Sequence, residues 1–176
     1  MLRKLYSVLL LLFVFTTLSY SQQTSTDDYT KAIAVIQSLQ QDGKISGTVT
    51  FTKLADAQMQ VVADIKGLTP GKHGFHIHQY GDISSKDGKS AGDHFNPTNK
   101  PHAGPGDAMH HSGDMGNITA QTDGTAHLDM KINGEINSII GRSVIIHEKE
   151  DDLMSQPAGN AGARIAAGVI GIANAK

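Results

Sequence analysis

The sequence predicts an all-β domain, a sandwich or barrel of about eight antiparallel strands. Three observations carry this: short apolar stretches rich in Val, Ile and Thr, period-two alternation within several of them, and Gly, Asp, Asn and Pro between them. KAIAVI, from Lys31, opens the set, and ISGTVTF follows the turn signal Gln41-Asp42-Gly43. QMQVVADI leads into Thr69-Pro70-Gly71, after which GFHIHQY begins. GNITAQ and TAHLDMKI flank Asp123-Gly124, a hairpin signal. SVIIHE and ARIAAGVIGIA complete the series. β-branched residues suit a pleated, half-buried surface, and the turn residues end each run. Apart from the N-terminus, only residues 37 to 41 resist a strand or turn assignment.

The chain has 176 residues, enough for one domain with a sizeable core. Residues 1 to 21 stand apart from it. Arg3 and Lys4 precede an apolar run from Val8 to Phe15, and small residues follow at Ser19 and Ser21, the outline of a secretory signal peptide. Tyr6, Ser7, Thr16 and Thr17 interrupt the run, leaving it short of a bilayer span, so no stable membrane association is expected after cleavage. Residues 22 to 30 form a polar leader, and the domain occupies residues 31 to 176.

The whole chain carries 15 basic and 17 acidic residues. Without the two basic residues of the signal, 13 face 17, a formal charge of −4. No basic run tracks a phosphate backbone, which argues against a nucleic-acid partner. Cysteine is absent, although an exported domain of this size would ordinarily be permitted disulfides.

Residues 81 to 115 break the strand rhythm, with few large apolar residues and many Gly, Asp, Pro, Lys and His. A structureless segment this long in a compact domain is usually functional or disordered. Seven of the nine histidines lie from His73 to His111 and favour function. His76 and His78 are two apart in a strand, so both rings emerge on one face. His94, His102, His111 and Asp114 follow at intervals of eight, nine and three. Three imidazoles and a carboxylate make a closed set suited to zinc. His147 lies at the end of a predicted core strand, where a solitary histidine is more often a satisfied structural residue.

From residue 31 to 176 the chain resembles the copper,zinc superoxide dismutases. GFHIHQYGD, SAGDHFNP, GDMGNI, GRSVIIHEKEDDL and GNAGARIAAGVIGIA match that family's characteristic segments in order. The resemblance implies an eight-stranded antiparallel Greek-key barrel with a long metal-binding loop, and one copper and one zinc per chain. It assigns His76, His78, His94 and His147 to copper, and His94, His102, His111 and Asp114 to zinc, with His94 shared. It makes Asp151 the carboxylate joining the outer nitrogens of His76 and His102, and Arg164 the cation beside copper. His73, His110 and His127 match no ligand position.

The implied activity is disproportionation of superoxide to dioxygen and hydrogen peroxide, with Arg164 and His94 as catalytic residues. The signal implies export, to the periplasm or the cell exterior. Some relatives are monomers and others dimers through different faces, so a homodimer is one assembly the resemblance allows. The rival reading is a non-catalytic exported copper and zinc binder for storage or delivery; it would have lost Arg164 or a copper ligand, and both are present. A metallohydrolase lacks support because no HExxH motif occurs.

Two departures stand out. The family's usual disulfide would join the positions held by Gly88 and Ala167, so packing around Ala166 and Ala167 together with the zinc site is expected to substitute. Residues 154 to 163 contain no charge, where many relatives carry a longer charged loop, so weaker steering of the anion is expected. The Asn117-Ile118-Thr119 triplet fits a glycosylation acceptor but receives no functional weight.

Overall fold

A computed structural model describes residues 28–41 and 43–174. The expected signal peptide and all but the end of the polar leader lie outside the described residues.

Eight strands form: β1 Lys31–Ser38, β2 Ser46–Lys53, β3 Gln58–Lys66, β4 Gly71–His78, β5 Asp114–Ala120, β6 Ala126–Asn133, β7 Ser143–His147 and β8 Arg164–Ile172. They pair antiparallel in the order β1-β2-β3-β6-β5-β4-β7-β8, and β8 returns to β1, closing a barrel. The connections from β3 to β4 and from β6 to β7 each pass over two strands, which is Greek-key topology. Closure leaves no free sheet edge.

Alternation sets the inside. Ala32, Ala34 and Ile36 of β1, Val49 and Phe51 of β2, and Met59, Val61, Ala63 and Ile65 of β3 all enter one core. Their neighbours on each strand face outward. On β4 and β7 the pattern differs: every residue from His73 to His78 and from Ser143 to His147 is buried. Phe75, Ile77, Val144 and Ile146 point into the barrel, while His76, His78 and His147 lie on the outer face beneath the long loop. Between His78 and Asp114 the chain makes one turn of 3-10 helix, Lys89–Ala91, and a single bridge of His78 to His94.

Two small differences from expectation have local causes. Gln37 and Ser38 complete β1 because Ala167 and Ala166 of β8 pair with them. A one-turn helix, Ile136–Ile139, forms after β6 and buries Ile136 and Ile139; four residues are too few to set up a helical period.

Candidate metal centre

The outer face of β4 and β7 receives the long loop, and two bulges occur there. Register shifts between Gly74 and His76 on the β4–β5 pair, and between Ile146 and His147 on the β7–β8 pair. Bulges re-aim side chains next to functional sites, and here they sit beside two buried histidines.

Two groups of potential ligands result, each with donor atoms within 4.8 Å of one another: His76, His78, His94 and His147, and His94, His102, His111 and Asp114. All seven residues are buried. Within the first group the ring centroids of His76 and His94 are 4.0 Å apart, and those of His78 and His94 are 5.0 Å apart.

The outer ring nitrogens are spoken for. His78 Nδ1 donates to Gly92 O at 2.9 Å and His147 Nδ1 to Gly162 O at 3.3 Å. His76 Nε2 donates to Asp151 Oδ2 at 2.8 Å, and His102 Nε2 to Asp151 Oδ1 at 3.0 Å. Those bonds fix the tautomers and leave His76 Nδ1 and the Nε2 atoms of His78 and His147 as lone-pair atoms. Among the described residues, the buried side-chain atoms without a hydrogen-bond partner are those three, His94 Nε2 and His102 Nδ1. Buried polar atoms are ordinarily paired, so five orphans in two ligand groups fit cations between them. Burial pushes His76 down to about 4 and His147 to about 3, and holds His78 well below the ordinary histidine range. All three rings are therefore neutral at pH 7 and able to ligate.

In the second group Asp114 Oδ1 lies 2.7, 3.1 and 3.2 Å from Nδ1 of His94, His102 and His111, and His94 Nδ1 lies 3.5 Å from His111 Nδ1. The edges of a tetrahedron around zinc with nitrogen and oxygen ligands are about 3.3 Å, so these atoms already outline one. The other carboxylate oxygen, Oδ2, accepts the His111 N–H at 2.9 Å and the Ala103 N–H at 3.3 Å, which turns Oδ1 inward. Burial works against charge on Asp114, but the adjacent imidazoles of His102 and His94 outweigh it and keep the carboxylate far below its usual range. His102 is likewise opposed by burial, yet the carboxylates of Asp114 and Asp151 raise it to about 9.

His94 belongs to both groups through its two nitrogens, and Asp151 ties them again from outside. Burial opposes charge on Asp151 too, but His102 and His76 hold it well below the carboxylate range. Asn117 supports Asp151 from the backbone: its Oδ1 accepts the Asp151 N–H at 2.8 Å and its Nδ2 donates to Asp151 O at 2.9 Å. The amide of that Asn-Ile-Thr triplet is thus engaged internally.

A mouth of about 280 Å³ opens over the first group, lined by His78, His94, His147, Pro157, Ala158 and Arg164 among others. Arg164 Nη1 donates to Gly88 O at 2.7 Å, which holds the guanidinium at the mouth. Gly88 has φ +68°, and a Cβ there would lie 2.9 Å from Leu39 Cδ1 and 3.1 Å from Arg164 Cβ. Leu39 is anchored by its N–H to Ile165 O at 2.9 Å. It packs with Ile83 against the buried cluster Ala91, Ile145 and Ala167, while Ala166 belongs to the main core. Leu39 thus lies against Gly88 on one side and against the cluster containing Ala167 on the other. Leu39 carries no signal in the sequence, since its partner is 49 positions away in a glycine.

The remaining histidines are occupied elsewhere. His73 bonds to His147 O and Thr69 O, both at 2.8 Å, His110 to His111 O, and His127 to Asp64 at the surface.

A family model described as copper/zinc superoxide dismutase matches residues 45–170. A relative named extracellular superoxide dismutase [Cu-Zn], from Brugia pahangi, is 47% identical over 155 residues, covering 80% of this chain and 75% of its own. The crystal structure of the clock protein EA4 superposes with a TM-score of 0.74 at 39% identity, over 83% of this chain and 96% of that one.

Proposed function

The chain belongs to the copper/zinc superoxide dismutase family, and we propose that His76, His78, His94 and His147 hold its copper while His94, His102, His111 and Asp114 hold its zinc. The enzyme converts two superoxide anions and two protons to dioxygen and hydrogen peroxide. One observation above all supports the assignment: the five partnerless buried ring nitrogens found among the described residues all belong to these two sets. Four imidazole nitrogens suit copper, and the carboxylate-containing tetrahedron suits zinc.

Bound copper supplies the electron acceptor for one superoxide and the electron donor for the next, whereas zinc has no redox chemistry. The protein's own groups do the rest. Arg164, fixed by Gly88 O, attracts the anion into the mouth and orients it beside His78, His94 and His147. His94 keeps its ring in place through Nδ1, set among the ligands around Asp114, so Nε2 can take up and deliver a proton to the peroxide product. Asp151 holds His76 and His102 in one orientation throughout. Protonation of the copper imidazoles is suppressed by burial, which keeps their lone pairs available at neutral pH.

Export is supported by the signal-like residues 1 to 21 and by the relative named extracellular. N-terminal sequencing of protein recovered outside the cell should begin near Gln22. A second copy would fit the apolar outer face of β1 and β8, where Val35, Val169 and Ile172 are 59%, 40% and 53% exposed. Sedimentation should show a dimer that Val169→Lys dissociates; a monomeric parent would remove this reading.

The test of the activity compares metal-loaded protein with an Arg164→Ala variant. Turnover that falls about tenfold or more without metal loss is expected, from the loss of one charged contact to the anion. Full metal occupancy with negligible turnover in the parent would favour storage or delivery of the ions instead.

A further inference from the structure

The link from β7 to β8 leaves Asp151 and returns at Arg164, and it closes on itself. Asp152 Oδ1 accepts the N–H groups of Met154 at 3.0 Å and Ser155 at 2.8 Å, and Oδ2 accepts the Ser155 hydroxyl at 2.6 Å and Asn160 Nδ2 at 3.0 Å. Gly159 N–H donates to Ser155 O at 2.7 Å and Asp152 N–H to Gly159 O at 2.9 Å. The loop is therefore shaped by its own bonds, an Asx-type organisation in which one carboxylate replaces several turns of backbone pairing.

At its tip stands Gln156. Its Oε1 accepts the His102 N–H at 2.8 Å, and its Nε2 donates to His102 O at 2.8 Å and to Met154 O at 3.1 Å. One side chain thus satisfies both backbone polar groups of a residue that is only 2% exposed. From the same loop, the Gly159 backbone, with φ +65°, covers the Asp151–His102 hydrogen bond so closely that any Cβ would overlap Asp151 Oδ1 and His102 Nε2.

We propose that Gln156 is a positioning residue for the zinc site: its amide, presented by the self-closed loop, fixes the His102 peptide and so sets how long zinc is held, though it contributes no ligand. The inference rests on His102 being a zinc ligand. With its peptide paired to Gln156, its Nε2 bound to Asp151 and Gly159 lying over that bond, His102 loses the backbone and ring freedom that would let it swing off the ion. Groups that orient a ligand tune the affinity of the site they serve.

The experiment uses the copper- and zinc-loaded protein and follows release of each ion to a chelator, with hydrogen exchange at the His102 amide as a second readout. In Gln156→Ala, zinc should leave about tenfold faster, the His102 N–H should exchange faster, and copper release should change much less, as expected for losing two ordinary hydrogen bonds at one ligand. Gln156→Glu, which can accept the N–H but cannot donate to the carbonyl, should lie between. Equal acceleration of both ions would mean general loosening and would overturn the proposal, as would zinc release at the parent rate. A His102→Ala control separates the two claims. Zinc lost from that control but retained normally by Gln156→Ala overturns the clamp alone, and zinc retained by His102→Ala overturns the ligand assignment with it.

Discussion

Asp151 is the carboxylate whose removal should be felt at both ions. Its side chain is fully buried and accepts three donors: His76 Nε2 at 2.8 Å, His102 Nε2 at 3.0 Å and the Leu153 N–H at 2.7 Å. Leu153 is exposed and can turn to water, but the two imidazole donors cannot. Leaving a buried donor unpaired costs about 1–3 kcal/mol, so Asp151→Ala should place a penalty of about 2–6 kcal/mol on the metal-ready arrangement. Divided between two sites, at about 1.4 kcal/mol per tenfold, this weakens each ion by roughly tenfold to a hundredfold, the usual effect of losing a partner of a metal-bound histidine. Asp151→Asn keeps one acceptor and turns an amide toward the other ring, so one site should suffer more than the other. Chelator competition, read separately for copper and zinc, measures this. Retention of both ions at parent affinity in Asp151→Ala would refute the argument that orientation of His76 and His102 depends on this carboxylate.

Leu39→Ala should lower stability in urea by about 2 kcal/mol, the low end for a core leucine because this one is only half-buried, and should reduce dismutation severalfold by releasing Gly88 and with it Arg164; unchanged turnover would show that the carbonyl needs no such support. Metal-free protein should lose stability as pH falls from 6.5 towards 4. His76 and His147, lowered to about 4 and about 3, bind fewer protons folded than unfolded in that window, His76 alone contributing about 3 kcal/mol, and a flat melting temperature across it would contradict the assignment. His102, raised to about 9, acts in the other direction: its contribution is complete below 6.5 and is lost as pH rises through 9, so it does not offset the acid loss. The dismutation rate should decline only gently with ionic strength, because residues 154 to 163 bear no charge and Arg164 is left to attract the anion; a steep decline would show that other charges steer it.

The barrel was legible wherever a strand has one wet face. In β3 the core residues Met59, Val61, Ala63 and Ile65 are separated by Gln60, Val62 and Asp64, and near-alternation marks the strand; in β1 the outward Ile33 and Val35 are apolar too, and a short run rich in Val and Ile before a turn signal marks it instead. On β4 and β7 that signal vanishes, because the long loop buries the outer face as well and His76, His78 and His147 stand where polar residues would meet water. Spacing could suggest His76 with His78, and His94, His102, His111 and Asp114 as a set. His147, Asp151 and Arg164 came only from the family resemblance, since a lone strand histidine, one acid in Glu-Lys-Glu-Asp-Asp and an arginine among glycines are individually unremarkable. Leu39, Asn117 and Gln156 were not legible as supports. Asn117 and Gln156 hydrogen-bond the peptide groups of residues distant in sequence, and Leu39 packs beside a distant glycine; neither kind of contact leaves a pattern in the side chains of the partner.

The most direct measurement is the dismutation rate of zinc-loaded protein, residues 22 to 176, titrated with copper and read alongside bound metal. Activity rising in proportion to copper and stopping at one copper per chain, with no such rise in His147→Ala, is the result expected for a single centre built from His76, His78, His94 and His147. Activity that keeps rising beyond one copper, or that His147→Ala retains in full, would place the chemistry elsewhere and contradict the account.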